Sequence, residues 1–209
     1  GALTSLLLSG MFVARFGART AVVVGFTTLG IGQVIQAVSL LGEAPLGVAL
    51  GGLVAGLGYG IGDVGINVEG AELEKLRGKS LLHGAYSLGA LAGAGIGTVA
   101  IITHFSLVVQ MITIAIITTG IAWFTYKQLP SDTGKTLVST SGVKEQRERV
   151  VLSRRILFLG LGIMGLSLAE GGSNDWLALS VVDDYKLDTT TAGITFAIMT
   201  LAMVITRFS

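Results

Sequence analysis

Long uncharged stretches, separated by short charged or turn-forming segments, set the rhythm of this chain. They cover 1–14, 20–42, 44–62 and on towards 68, 80–103, 105–126, 156 to about 177 with polar interruptions, and 189–206. At about 1.5 Å of rise per residue, roughly 20 residues cross the hydrocarbon core of a bilayer. The runs are continuous rather than alternating, so they predict helices and not barrel strands. Seven spans are expected, the first of them partial, in a chain cut inside its first helix and cut again at its far end.

Composition agrees with lipid as the solvent. Mean hydropathy is +0.77 and only 13% of residues are charged, against about 25% in soluble domains. Glycine supplies 31 of 209 residues, about twice its usual share, which suits closely packed membrane helices. The absence of cysteine removes disulfides and thiolate metal sites. A net charge of +1 gives no reason to expect a nucleic-acid partner.

The position of the charge says more. With alternating spans, thirteen of the fourteen Lys and Arg residues fall on one face and only Lys186 on the other. The positive-inside rule makes the first face cytoplasmic, in a multi-pass protein of the plasma membrane. Trp123 and Tyr126 then suit an inner aromatic belt, and Trp176 and Tyr185 an outer one. The polar segment from Pro130 to Arg155, with its "KEQRERVVLSRR", reads as a cytoplasmic linker. It divides the chain into a first bundle (1–128), the linker (129–154) and the start of a second bundle (155–209).

An internal echo supports two halves. "MFVARFG" at Met11–Gly17 returns as "MVITRFS" at Met203–Ser209, 192 residues later. Each copy closes a span on the same face. Repeats of this kind mark secondary transporters. With six spans per half, one helix would precede residue 1 and four would follow residue 209.

The stretch "GMFVARFGART" resembles the loop between the second and third helices of the major facilitator superfamily. Gly10, Arg15, Gly17 and Arg19 match its pattern; Ala14 stands where the family usually has Asp, and Ala18 replaces a basic residue. The resemblance implies an all-α integral membrane fold holding spans two to eight of twelve, in two pseudo-symmetric bundles. It also implies a conformational, gating role for those four residues. "GLGYGIGDVGINVEG" (Gly56–Gly70) further resembles the fucose permease-like branch of sugar–proton symporters, in which a glycine-rich helix carries an acid followed four residues later by Asn. Asp63 and Asn67 fit. No intramembrane Arg appears in that helix, and "SLGALAGAGIG" lacks the Gly-Pro signature of drug antiporters; both count against drug efflux.

Asp63 is the sharpest single residue, because a carboxylate at mid-membrane costs about 2.5–3.5 kcal/mol on insertion scales. It is the expected proton-coupling group, with Asn67 one turn on to hydrogen-bond the protonated acid; the bland alternative puts Asp63 at the cytoplasmic end among interfacial water. Glu170 is the second acid. Gly171 and Gly172 suggest a local break in its helix, and Asn174 and Trp176 beside Asp175 offer hydrogen bonds and a stacking face to a sugar-like solute. The alternative there is a frayed outer end with an aromatic anchor. Gln33, Gln36 and Tyr59 fall mid-membrane and either contact substrate or bond helices together. His83 opens the fifth span as an interfacial histidine. The stripes Gly52, Gly56, Gly60 and Gly89, Gly93, Gly97 should let helices approach closely.

No phosphate loop, HExxH, metal cluster or nucleophile elbow is present, so neither an enzyme nor a cofactor is expected. The function expected is proton-coupled alternating access for a small polar, sugar-like solute by a monomer in the bilayer. An efflux exporter is the alternative of the same class, and a seven-span receptor the alternative of another.

Overall fold

The computed structural model describes residues 2–77, 82–135 and 154–208. Residues 136–153, most of the expected linker, lie outside the described residues. Each uncharged run is a helix: α1 (Ala2–Phe16), α2 (Ala18–Leu41), α3 (Pro45–Arg77), α4 (Leu82–Ile102), α5 (Leu107–Tyr126), α6 (Arg154–Asp183) and α7 (Thr189–Phe208). Helices α2, α3, α4, α5 and α7 are long and apolar enough to cross a membrane. Both copies of the Arg-Phe echo end a helix, α1 at Phe16 and α7 at Phe208.

Local chemistry sets the boundaries. Gly17 turns the chain between α1 and α2 at φ +86°, where a Cβ would be strained. Pro45 opens α3, a position where its missing N–H costs nothing. Asp188 caps α7: its Oδ1 accepts the Thr191 N–H at 3.0 Å and its Oδ2 the Thr191 hydroxyl at 2.7 Å. These bonds hold the Asp188 carboxyl below the usual carboxylate range.

Contacts gather the chain into two units. One holds Gly1–Tyr86 and His104–Thr136, the other Ser87–Thr103 and Leu137–Ser209. In the first, buried positions are small, such as Ala18, Ala21, Gly25, Gly30 and Gly32. Large apolar side chains face outward, with Leu46 and Phe124 each 73% exposed. That arrangement suits a lipid surround, where close backbone packing and not burial of Leu or Phe joins helices.

The tightest seam runs between α2 and α3. A Cβ on Gly25 would run into Gly62 and Gly58, one on Gly32 into Ala55 and Gly51, and one on Gly65 would lie 2.9 Å from Val22 N. The small residues recur every seventh position, 18, 25 and 32 against 51, 58 and 65, a spacing that keeps them on one face of each helix. The close approach therefore uses a register different from the expected Gly52, Gly56, Gly60. Gly52 lies instead beside Gln36. At Gly89, Gly93 and Gly97 a Cβ would meet open space among the described residues.

Helix α5 joins α2 through polar contacts. The Thr119 hydroxyl donates to Phe26 O at 3.4 Å, and Trp123 Nε1 donates to Thr27 Oγ1 at 3.2 Å. Trp123 is thus tied to a neighbouring helix as well as suited to a belt. In the second unit α6 packs with α7, and Gly193 of α7 makes room for Thr98 of α4, whose hydroxyl donates to Ala94 O at 2.9 Å.

Candidate functional site

Helix α3 carries two unlike faces. At about 100° per residue, and with Gly58 as zero, Gly51 and Gly65 fall within about 20° of the seam. Tyr59, Asp63 and Asn67 stand at about 100°, 140° and 180° on the same wheel. Spaced by four, they form one polar stripe turned away from α2. Asp63 is half-buried, whereas Tyr59 and Asn67 are exposed. The Asn67 amide donates to the backbone carbonyl of Asp63 at 2.9 Å. The Asn67 side chain is also a hydrogen-bond partner of the Asp63 carboxyl. Asp63 lies about 27 Å along the helix from Pro45.

The two amides sit elsewhere. Gln36 packs its chain on Gly51, with its Nε2 beside Gly52, eleven residues or about 16 Å from the level of Asp63. It fills the groove those glycines open, which is a packing role. The Gln33 Oε1 is buried with no hydrogen-bond partner among the described residues.

The α1–α2 loop is built around Gly17. Gly17 N–H donates to Val13 O at 2.8 Å, closing α1. Arg15 lies 5.3 Å from the Phe16 ring centre, and Phe16 packs on Phe12 at 4.7 Å. Arg19 turns inward: its guanidinium sits 4.3 Å over Tyr126 of α5, and its Nε is buried without a hydrogen-bond partner among the described residues. Among the described residues, nothing lies within 4 Å of where a Cβ on Gly10 would stand.

A cavity of about 640 Å³ opens between α3 and α5, over Val22 and Phe26 of α2. Its walls are mostly apolar, including Ile66, Leu73 and Ile121, and Glu69 and Glu72 also line it. Both Glu69 carboxylate oxygens are sealed from solvent and have no hydrogen-bond partner among the described residues. Sequence reasoning passed over Glu69, because "NVEGAELEKLR" reads as the solvated end of a helix. Its depth is set by residues some sixty positions later.

In the second unit, α6 runs unbroken from Arg154 to Asp183. The local break expected at Gly171 and Gly172 is absent: a mid-helix glycine costs only about 1 kcal/mol against Ala, less than releasing a backbone hydrogen bond in an apolar setting. Continuity puts Glu170 and Asn174 on one face, four residues apart. Both are half-buried, while Trp176 is 64% exposed. The side chain of His83 lies outside the described residues.

Over its whole length the chain is similar to a transporter. An uncharacterized MFS-type transporter of Yersinia pestis is 24% identical to it, across 100% of this chain and 53% of that protein. The chain thus spans about half the length of the curated relative it matches. No family model and no solved structure matches.

Proposed function

We propose that this chain is part of a major facilitator transporter that moves a small polar, sugar-like solute by proton-coupled alternating access. The polar stripe Tyr59–Asp63–Asn67 carries the reading. An acid on a helix long enough to cross a bilayer is costly in lipid, and this one is turned away from the glycine seam that α3 forms with α2. A water-filled pathway is the setting in which such a stripe is tolerated. Asp63 takes up and releases the proton. Glu170 and Asn174, a second acid–Asn pair one turn apart, bind the solute with Trp176 as stacking surface, and Gln33 and Gln36 support the pathway.

Similarity along the whole of this chain to about half of a protein described as an MFS-type transporter supports the class and disfavours a seven-span receptor. The superfamily assignment, its fucose permease-like branch and the two bundles at 1–128 and 155–209 belong to this proposal. So do a monomeric state, the solute, protons and lipid as partners, and basic loops facing the cytoplasm of the plasma membrane.

The test is transport by the full-length gene product in proteoliposomes, with a panel of radiolabelled sugars and polyols. Wild type should accumulate one of them under an imposed pH gradient. Asp63→Asn should exchange that solute across the membrane but not concentrate it. Uphill transport by Asp63→Asn with undiminished dependence on the pH gradient refutes the coupling role; unchanged solute affinity in Glu170→Ala removes Glu170 from the site.

An efflux exporter is the second reading. The apolar cavity with Glu69 and Glu72 on its wall favours it, since that chemistry suits an amphipathic cation. Loss of such a cation from loaded vesicles, without sugar uptake, would select it.

A further inference from the structure

Pro130–Lys135, which begins four residues after the end of α5, makes contacts that a linker has no need of. The Ala18 N–H, the first donor of α2, has no side-chain cap and instead donates to Thr133 O at 2.9 Å. A carbonyl 115 residues away in sequence therefore caps this helix. Gly134 adopts φ +76° and inserts between two other helices: a Cβ there would stand 2.7 Å from Val13 Cγ1 of α1 and 3.0 Å from Val68 Cγ1 of α3. Ser131 O and the Lys135 chain cover Gly17, each 3.1 Å from where its Cβ would be.

The turn also holds its own shape. Lys135 N–H donates to Asp132 O at 3.1 Å, and Lys135 Nζ pairs with Asp132 Oδ1 at 3.1 Å. The Ser131 hydroxyl donates to Asp132 Oδ2 at 3.1 Å. The Lys135 bond, followed by that of Ser131, keeps the Asp132 carboxyl below its usual range. Beside it, Arg19 of α2 lies over Tyr126, the last residue of α5. One short turn hanging from α5 thus touches α1, α2 and α3 together.

We propose that Pro130–Lys135 is a clasp that locks α5 onto the α1–α2 loop, so that α1, α2, α3 and α5 move as one body at the end carrying Arg15 and Arg19. The clasp itself rests on the contacts above; its consequence for transport rests on the function proposed here. Gly134 and Gly17 are the positioning residues, because each holds a positive φ against a packed neighbour.

The experiment uses the full-length gene product with any cysteines outside this segment replaced, since the segment itself has none. The pair Ala18→Cys with Thr133→Cys should oxidise to an intramolecular disulfide in most molecules, and the oxidised protein should transport within about twofold of the reduced one. Absence of the cross-link overturns the clasp. A cross-link that arrests transport, reversibly with reductant, overturns the claim that it stays closed while the helices move. A cross-link in a protein that moves no solute supports the clasp and counts against the transport reading. As a second measurement, Gly134→Val should raise maleimide labelling of Ala18→Cys in membranes at least tenfold, because Ala18 is fully buried; unchanged labelling refutes the proposal without recourse to transport.

Discussion

Replacing Gly58 by Ala tests the α2–α3 seam most directly. A Cβ on Gly58 would fall 2.6 Å from Gly25 O and 2.8 Å from the carbonyl carbon of Thr28, and would run into Leu29 N. All three are backbone atoms, so no side-chain rotation relieves the overlap. An ordinary van der Waals separation requires the helices to part by about 1 Å, a gap that already forfeits a quarter to a half of each dispersion contact across it. Overpacking of this kind costs about 1–3 kcal/mol. Alanine also returns about 1 kcal/mol of helix propensity, so a single variant is ambiguous. Gly120→Ala supplies the reference, since it gains the same propensity on α5 where a Cβ meets nothing within 4 Å among the described residues. The difference between the two isolates the overlap: Gly58→Ala should be about 1–3 kcal/mol less stable than Gly120→Ala, about 5- to 150-fold in the unfolding equilibrium. Reversible unfolding of the full-length protein in mixed micelles, followed by tryptophan fluorescence, reads it. Equal stabilities would show that the seam is not in backbone contact.

Gly17→Ala should lose about 1–3 kcal/mol from a backbone conformation, φ +86° and ψ 157°, that is essentially glycine-only, with a lower thermal midpoint and increased proteolysis at the α1–α2 loop. Tyr126→Leu should remove the ring under Arg19 and cost about 0.5–1 kcal/mol, whereas Tyr126→Phe should cost less; equal losses in the same unfolding assay would discard the cation–π contact. Asp188→Ala should speed hydrogen exchange at Thr191, with Asp188→Asn retaining most of the protection. The Asp188 pKa is lowered by folding, so its contribution is complete above the ordinary carboxylate value near 4 and fades as pH falls through the lower folded value. The wild type and Asp188→Ala should therefore differ equally at pH 5 and pH 8 and converge only in strong acid.

Much of this architecture is legible in the residues because lipid imposes simple rules. Uncharged runs became helices, and the Arg-Phe echo marked two helix ends, since both depend on local sequence alone. The shared face of Asp63 and Asn67 follows from helical spacing for the same reason. What the sequence hides depends on pairing. Two glycine stripes at four-residue spacing were visible, yet the seam uses seven-residue spacing, because the choice is made jointly by α2 and α3. Gly171 and Gly172 suggested a break that the hydrogen bonds of a continuous helix resist. Ser131, Thr133 and Gly134 read as the start of a linker, because a turn looks the same whether it faces water or caps a distant helix. Glu69 was missed with them, since its burial follows from what packs over it.

The seam and the polar stripe are two consequences of one helix design. Because α3 meets α2 through Gly51, Gly58 and Gly65, no large side chain is needed on that face to hold the pair together. The opposite face is then free to carry Tyr59, Asp63 and Asn67 without loss of packing. A bulky seam would set the axes farther apart, typically by a side-chain layer at 8–10 Å separation, and would tilt the stripe with every change in that layer. Backbone contact removes this slack: it fixes the rotation of α3 against α2 and so the direction in which Asp63 points. The glycines that look like mere packing residues are, on this view, what aims the acid. Substitution at Gly58 should then alter not only stability but also the pH-gradient dependence assigned to Asp63, whereas a change at Gly120 should leave that dependence alone.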